Sequence, residues 1–473
     1  MASPSPKARY DFTHGRGLPP PAATHTSRRH RHTTMKKTIA ILGAGESGAS
    51  AARLAQREGY AVFVSDAGPG TPKYLAELEA ANIEVETMQH SVERIYAADE
   101  VVKSPGIPDT VPLIVELRKR GIPVISEIEF AYRFAPRNVE IIGITGSNGK
   151  TTTTMLTHHL LHIAGVKALA GGNLGDSFAR LLLDEDPADV YVLELSSFQL
   201  DGMVDFRPGI AVVLNITPDH LDRYDYSLEK YADSKISIAK NQKLADQLLV
   251  LADPVTLAPA LRRQKVDANI TTISDEDVRG GSVFVDGFEF TLGTGGLRGR
   301  HNGLNALFAI RIALRLGVNE KEIQLALDTF IAAPHRMEII LTTDGRTWIN
   351  DSKATNVDAT YFALESMNGP TVWIAGGTDK GNDYDVLLPF VREHVHTLIC
   401  MGVDNTKLAV AFTGHVNMLL ECSSAAAAAV FANQRAKKGE TILMSPCCAS
   451  FDLFKHYIDR GEQFRTAVKN LNA

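Results

Sequence analysis

The segment from Val139 to Leu160 restricts this chain more than any other. Val139-Glu140-Ile141-Ile142-Gly143-Ile144 reads as a strand, Thr145-Gly146-Ser147-Asn148-Gly149-Lys150-Thr151-Thr152 as a glycine-rich turn, and Met155, Leu156 and Leu160 as the apolar face of a helix. A strand that feeds a helix through such a turn belongs to parallel α/β architecture. In that setting the turn amides and the helix dipole cradle phosphates, Lys150 binds their charge and the Thr151 hydroxyl ligates magnesium. The strict Gly-x-x-x-x-Gly-Lys-Thr spacing fails, because Ile144 holds the first glycine position. The strand-to-helix junction still favours phosphate binding over a structural turn.

Further strands point their ends at the same place. Val190-Tyr191-Val192-Leu193 runs into Glu194, and Ile210-Ala211-Val212-Val213-Leu214-Asn215-Ile216 runs into Thr217-Pro218-Asp219-His220. Ligands collect outside the carboxyl ends of parallel strands, so Lys150, Glu194 and His220 are expected to converge. A carboxylate there suits magnesium, and a neutral imidazole suits a second metal or a polarised oxygen. Read singly, Glu194 is also an ordinary strand-end acid and His220 a solvated or capping residue.

Similar units flank this one. Thr38 to Leu42 forms a strand, Gly43-Ala44-Gly45-Glu46-Ser47-Gly48 a glycine turn, and a helix to about Gly59 leads to a strand from Ala61 that ends at Asp66. This pattern suits a nicotinamide or flavin dinucleotide, any other nucleoside diphosphate, or a purely structural turn. Glu46 and Ser47 say little about how a base would be held. Ser104-Pro105-Gly106 follows a further strand, and the unit breaks at Pro136-Arg137-Asn138. Beyond Ala333, strands at Thr347–Ile349, Thr371–Ala375, Thr397–Met401 and Thr441–Met444 alternate with helical stretches. The alanine run 425–429 reads as one face of a packed helix, and polar clusters at 350–356, 376–381 and 445–451 mark strand ends.

The 473 residues exceed one hydrophobic core, and a 44% hydrophobic, 22% charged composition builds several. A net charge of -6 argues against nucleic acid as the main partner. Cys400, Cys422, Cys447 and Cys448 form neither a disulfide framework nor a zinc pattern, which points to a reducing, cytoplasmic setting. The sequence offers no membrane-length apolar run and no secretion signal, so no membrane association is expected. Residues 1–34 combine prolines and basic residues with a single acid, Asp11, and read as a disordered tail.

Taken in order, Thr-Gly-Ser-Asn-Gly-Lys-Thr-Thr, Gly171-Gly172-Asn173-Leu174-Gly175, Glu194-Leu195-Ser196-Ser197-Phe198-Gln199-Leu200, Asp219-His220, His301-Asn302 with Asn305, His335-Arg336 and Asn350-Asp351-Ser352-Lys353-Ala354-Thr355-Asn356 resemble the Mur ligase family from about Lys36 to Leu471. The irregular phosphate loop is that family's own variant.

This resemblance implies an α/β protein of three domains: a Rossmann-like domain over 35–132 for a UDP-linked substrate, a central parallel-sheet ATPase-like domain over 133–332 for ATP, and a Rossmann-like C-terminal domain over 333–473 for the amino acid. It implies a cytoplasmic, monomeric, ADP-forming ligase of peptidoglycan synthesis, serving cell-wall growth, shape and division. The reaction would add D-glutamate to UDP-N-acetylmuramoyl-L-alanine through an acyl phosphate.

The resemblance also assigns residues. Gly146, Ser147, Asn148, Gly149, Lys150, Thr151 and Thr152 would hold the ATP phosphates, Asn302 and Asn305 the adenine side, Arg336 the γ-phosphate and Asp351 the ribose. Thr151 and Glu194 would bind one magnesium ion, and His220 with a carbamylated Lys235 a second. Lys150, Glu194, His220, Lys235 and Arg336 form the catalytic set. Gly43, Gly45, Ser47, Gly48, Asp66, Ser104, Gly106 and Asn173 would hold the UDP-linked substrate. Lys353, Thr355, Lys380, Ser450, Phe451 and Tyr457 would surround D-glutamate. Without the resemblance, Lys235 reads as a solvated helix lysine.

Overall fold

Alternate residues of the first strand, β1 (Thr38–Leu42), enter two different cores: Ile39 and Ile41 one, Ala40 and Leu42 the other. A strand buried on both faces belongs inside a parallel sheet covered by helices. In the computed structural model, which describes residues 36–184, 186–292, 297 and 299–471, β1 is the centre of a parallel sheet of five strands. Its partners are β2 (Ala61–Asp66), β3 (Glu84–Thr87), β4 (Glu100–Lys103) and β5 (Val124–Ser126), in the order β3-β2-β1-β4-β5. The disorder expected for the first 34 residues lies outside the described part of the chain.

A second parallel sheet contains β6 (Glu140–Thr145), β7 (Ala168–Gly172), β8 (Val190–Glu194), β9 (Ile210–Val213), β10 (Gln247–Leu251) and β11 (Asn269–Ile273), in the order β11-β10-β9-β6-β8-β7. The carboxyl ends of β6, β8 and β9 are neighbours, which puts Gly146, Glu194 and the segment after Val213 at one edge. The strand expected to continue to Ile216 stops at Val213. Leu214 N still donates to Thr145 O at the end of β6, and Asn215 O accepts from Ser147 N of the phosphate loop, so the chain passes from the ladder to the loop there.

A small antiparallel sheet, β12 (Val278–Arg279), β13 (Ser282–Val285) and β14 (Phe288–Thr291), follows and adds Val283, Val285 and Phe290 to the core. The third large sheet has the order β15-β16-β20-β17-β18-β19. Its strands are β15 (Glu338–Thr343), antiparallel, then β16 (Arg346–Asn350), β17 (Thr371–Ala375), β18 (Val395–Met401), β19 (Met418–Cys422) and β20 (Thr441–Met444), all parallel. The alanine run lies in the helix Ala425–Arg435, where Ala425, Ala428, Ala429 and Ala432 are buried against the sheet.

The first two sheets share one buried cluster, which runs from Ile39 through Phe130 to Leu195, Phe206 and Leu248. The helix Glu127–Tyr132 makes this junction. Glu129 is fully buried and its Oε2 accepts from the amides of Val204, Asp205 and Phe206 at 2.9, 3.0 and 2.9 Å. Three amide donors compensate a carboxylate removed from water.

Candidate active site

The phosphate loop is laced to the chain after β9. Ser147 N donates to Asn215 O at 3.0 Å and Asn148 N to Asn215 Oδ1 at 2.9 Å, while the Ser147 hydroxyl donates to Thr217 O at 2.9 Å. Gly149 begins the helix Lys150–Ile163 at φ 85°, and a Cβ there would lie 2.2 Å from Asn305 Oδ1. Both the left-handed backbone and the close approach require glycine. The site reading missed Asn215, whose signal is an amide inside an otherwise apolar strand run.

Behind the loop, four side chains form a continuous path. Arg336 Nη2 donates to Thr151 Oγ1 at 2.7 Å, Thr151 Oγ1 donates to Glu194 Oε2 at 2.7 Å, and Asn173 Nδ2 donates to Glu194 Oε1 at 2.9 Å. Arg336 precedes the third sheet, so this path ties that sheet to the strand ends of the second. The motif around Glu194 also has a structural part. Ser196 and Gln199 form a reciprocal capping box on the short helix Ser197–Leu200, which fixes how the chain leaves β8.

Lys150 and Lys235 are drawn to the same loop. Lys150 Nζ donates to the carbonyls of Gly146 and Ser147 at 2.7 and 2.8 Å, and Lys235 Nζ donates to Gly146 O at 2.9 Å. Lys235 is 1% exposed and its ammonium lies 4.5 Å from the Tyr231 ring centroid. The reading of Lys235 as a solvated lysine is thus overturned: Tyr231 and Lys235, one helical turn apart, both face inward. Burial and then Lys150 push the Lys235 amine well below the ordinary lysine range.

His220 has φ 52°, a left-handed conformation uncommon for such a residue. Its ring packs edge-on against Phe198 at 5.2 Å, and Nε2 lies 3.6 Å from Asp219 Oδ2. Burial, with Lys380, Lys150 and Lys235 nearby, lowers its pKa, so the neutral ring keeps a lone pair for a metal or an oxygen-bound proton. Among the described residues no three His, Cys, Asp or Glu side chains form a metal cage. The Thr151 hydroxyl and Glu194 carboxylate nevertheless fit magnesium, which is commonly held by one or two carboxylates together with substrate phosphates.

A cavity of about 130 Å³ beside the loop is lined by Asn148, Gly149, Thr152, Asn302, Asn305, Arg336 and Asp351, so these expected ATP residues meet. His301 joins them, its ring 5.4 Å from Phe362 and its pKa lowered to about 4 by burial. Asp351 accepts from Ser445 Oγ at 2.8 Å and Met337 N at 3.2 Å, and burial raises its carboxyl to about 7.

Six of the residues expected to hold the UDP-linked substrate, Gly43, Gly45, Ser47, Asp66, Ser104 and Gly106, line a separate cavity of about 1030 Å³. Gly43 has φ 99°, and a Cβ there would strike Ser104 Oγ at 2.4 Å. Gly48 acts in packing, since its Cβ would lie 1.9 Å from Gly43 O. The two carboxylate oxygens of Asp66 accept from Ala44 N at 2.6 Å and Gly68 N at 2.8 Å, so Asp66 braces the glycine turn. Asn173 is bonded to Glu194 instead of lining this cavity.

On the third sheet, the Lys353 ammonium sits 4.0 Å from the Tyr457 ring centroid, and burial followed by Arg336 lowers its pKa to about 8. Lys380 and Phe451 are exposed and Ser450 is buried, on adjoining loops joined by a bridge between Thr378 and Ala449. Thr355 N donates to Lys353 O at 2.9 Å in the loop after Asn350.

The fold and site define an α/β protein with a glycine-rich strand-to-helix loop whose adjoining cavity is completed by Arg336 and Asp351, which flank strands of the C-terminal sheet. Family models described as the Mur ligase middle domain, the N-terminal domain of MurD-like Mur ligases and the Mur ligase glutamate ligase domain match residues 144–313, 37–126 and 335–448. The chain belongs to the Mur ligase family. It is 47% identical over 448 residues to UDP-N-acetylmuramoylalanine--D-glutamate ligase of Christiangramia forsetii, a match covering 92% of this chain and 100% of that one. The enzyme of the same name from Cytophaga hutchinsonii is 44% identical over 449 residues, with coverages of 92% and 100%. Among solved structures, UDP-N-acetylmuramate-alanine ligase MurC from Thermotoga maritima has the same fold, with a TM-score of 0.59 at 19% identity, covering 92% of this chain and 99% of that one.

Proposed function

We infer that this chain joins D-glutamate to the alanyl carboxylate of UDP-N-acetylmuramoyl-L-alanine while ATP is cleaved to ADP and phosphate. The observation that carries this reading is the path Arg336, Thr151, Glu194, Asn173, which assembles cation, hydroxyl, carboxylate and amide around one phosphate loop. Relatives 47% and 44% identical over their full lengths bear the name of that ligase.

A carboxylate is a poor acyl donor, so its oxygen first takes the γ-phosphoryl group and ADP departs. The amine of D-glutamate, having lost a proton, attacks the carbonyl of the acyl phosphate. Collapse of the tetrahedral adduct expels phosphate and leaves the amide. Phosphoryl transfer asks the protein mainly for positioned charge. The loop amides and Lys150 hold the phosphates, and Arg336 brings a guanidinium from the C-terminal side to the transferred group. Lys353, Thr355, Lys380, Ser450, Phe451 and Tyr457 are assigned to the amino acid, where cations and hydroxyls suit its two carboxylates.

Magnesium, when bound by Thr151 and Glu194, with a second ion at His220 and a carbamylated Lys235, supplies charge neutralisation around the phosphates. The burial of Lys235 supports the carbamate, because a neutral amine is the form that reacts with carbon dioxide. The domain limits 35–132, 133–332 and 333–473, a monomeric state and a cytoplasmic location belong to the same proposal. Among the described residues no helix is long and apolar enough to cross a membrane.

Phosphate release with ATP and UDP-N-acetylmuramoyl-L-alanine, run against a panel of D- and L-amino acids, tests the reading. Only D-glutamate is expected to stimulate release. Release indifferent to the acceptor would overturn it.

A further inference from the structure

Glu46 stands between two glycine-turn residues that line the large N-terminal cavity, Gly45 and Ser47, yet its carboxylate is bonded to Ser177, the N-cap of the helix Phe178–Leu182 that follows β7. Oε1 accepts from Ser177 N and Ser177 Oγ, both at 3.1 Å, from Arg180 Nε at 3.3 Å and from Ser50 Oγ at 3.0 Å. Arg180 also reaches Glu77 of the N-terminal side through two bonds, at 2.5 and 3.0 Å. Nearby, the Glu127 carboxyl group accepts from Ala179 N at 2.5 Å. Acids of the first unit thus hold the amides that open the short helix Phe178–Leu182 of the second.

The segment before Ser177 leads directly to the reacting end of the site. Gly172 N donates to Asp176 O at 2.7 Å, Asn173 N to Glu194 O at 2.8 Å, and Asn173 Nδ2 to Glu194 Oε1 at 2.9 Å. Packing leaves the end of β7, from which this segment departs, little freedom. A Cβ on Gly171 would lie 2.4 Å from Asp176 O, and one on Gly172 2.3 Å from Glu194 O. A short, hydrogen-bonded connection therefore runs from the glycine turn through Glu46 and Ser177 to Asn173 and Glu194.

We propose that Glu46 is a positioning residue that fixes the span between the N-terminal cavity and the Asn173–Glu194 site, and so sets the register of an elongated UDP-linked acceptor whose carboxylate must reach the phosphoryl donor. This rests on the proposed ligase reaction. An acceptor anchored at one end and reacting at the other is sensitive to the distance between the two, and displacements near 1 Å at a reacting atom cost up to about a hundredfold in rate. An isolated ion pair between exposed side chains carries no such effect. The Glu46 oxygen instead collects charge-assisted bonds from backbone, hydroxyl and guanidinium donors that belong to one loop and the helix it enters.

The test compares wild type with Glu46→Ala, Glu46→Gln and Ser177→Ala. It measures kcat and KM for UDP-N-acetylmuramoyl-L-alanine, KM for ATP, Kd for UDP alone and thermal stability. Glu46→Ala is expected to lower kcat/KM for the full acceptor about tenfold while Kd for UDP and KM for ATP stay within about twofold. Glu46→Gln keeps an acceptor oxygen and should recover most of the loss. Ser177→Ala removes only the hydroxyl and should reproduce a smaller loss, about threefold, even if Glu46→Ala folds poorly. Combined with Asn173→Ala, the effect of Glu46→Ala should be less than multiplicative, because both act through one loop.

Acceptor kinetics unchanged in Glu46→Ala and Ser177→Ala would overturn the inference. So would UDP affinity falling in step with kcat/KM, or fully multiplicative losses. Wild type that makes no product with D-glutamate would refute the ligase reading instead, which separates the two failures.

Discussion

Lys150 and Lys235 donate to the same acceptor, the carbonyl oxygen of Gly146, at 2.7 and 2.9 Å. Two buried ammonium groups on one carbonyl repel each other, and the cost is lowest if one loses its proton. Burial, then Lys150, depresses the Lys235 amine well below its usual range, with Asp219, Asp201 and Glu194 opposing the shift. An amine in that state attacks carbon dioxide, and the resulting carbamate would face Lys150 with opposite charge. Protein equilibrated with ¹³C-bicarbonate is expected to give a carbamate carbon resonance that Lys235→Met lacks. The variant should lose about a hundredfold or more in kcat. Full activity with no such resonance in wild type would exclude the carbamate.

Arg336 touches the phosphate loop from the C-terminal side through Thr151 Oγ1 at 2.7 Å. Its planar fork can keep that bond while presenting a second nitrogen to a phosphoryl oxygen, which a lysine ammonium does not match. Arg336→Lys should therefore lower kcat by about 10²–10³-fold, as expected when a donor to developing charge is lost. KM for the UDP-linked acceptor should stay near its wild-type value. Steady-state phosphate release provides both numbers, and an unchanged kcat would remove Arg336 from the transfer step.

The sequence made this half of the site legible because its residues lie at strand ends and in turns. The run before Glu194 and the glycine loop before Lys150 each identify a side chain at the carboxyl edge of a sheet, and β8 and β6 are hydrogen-bonded neighbours. Lys235 was harder, since a lysine in a helix is ordinarily solvated. Its clue was the spacing from Tyr231 and the adjacent buried Ala232 and Ile236. Asp66 and Asn173, expected at the UDP-linked substrate, have protein partners that the sequence does not show: the amides of Ala44 and Gly68, and the Glu194 carboxylate. Side-chain direction across packed units depends on contacts distant in sequence, which local pattern does not encode. The sheet β12–β14 escaped for a related reason, as two- to four-residue strands carry too little periodicity to stand out.

Arg460, 1% exposed, fastens the three loops around the proposed amino-acid site. Nε donates to Ser352 Oγ at 3.0 Å, Nη1 to Gly376 O and Cys448 O at 3.2 Å each, and Nη2 to Ser352 O at 2.9 Å and Cys448 O at 3.2 Å. Those loops follow β16, β17 and β20. Lysine cannot reproduce this fork, and each buried carbonyl left without a donor costs about 1–3 kcal/mol. Arg460→Lys is expected to lower thermal stability and raise KM for D-glutamate severalfold, with KM for the UDP-linked acceptor little changed. Equal increases in both constants would argue against a local role.

Glu127 provides a pH test remote from the phosphate loop. Its carboxyl is 2% exposed, Oε1 accepts from Ala179 N at 2.5 Å, and Oε2 is buried without a hydrogen-bond partner. Burial, reinforced by the charge of Glu46, raises its pKa to about 8, while the Ala179 amide acts in the opposite direction. As pH rises from about 4.5 to about 8, the unfolded chain releases this proton while the folded chain retains it, so the group's contribution to stability falls and then levels off. Glu127→Gln approximates the protonated acid at every pH and lacks that slope. Its Tm should match wild type near pH 4.5 and exceed it progressively toward pH 8.5, by a margin corresponding to about 1 kcal/mol or more. Parallel Tm curves across this range would mean that Glu127 is ionised in the folded protein.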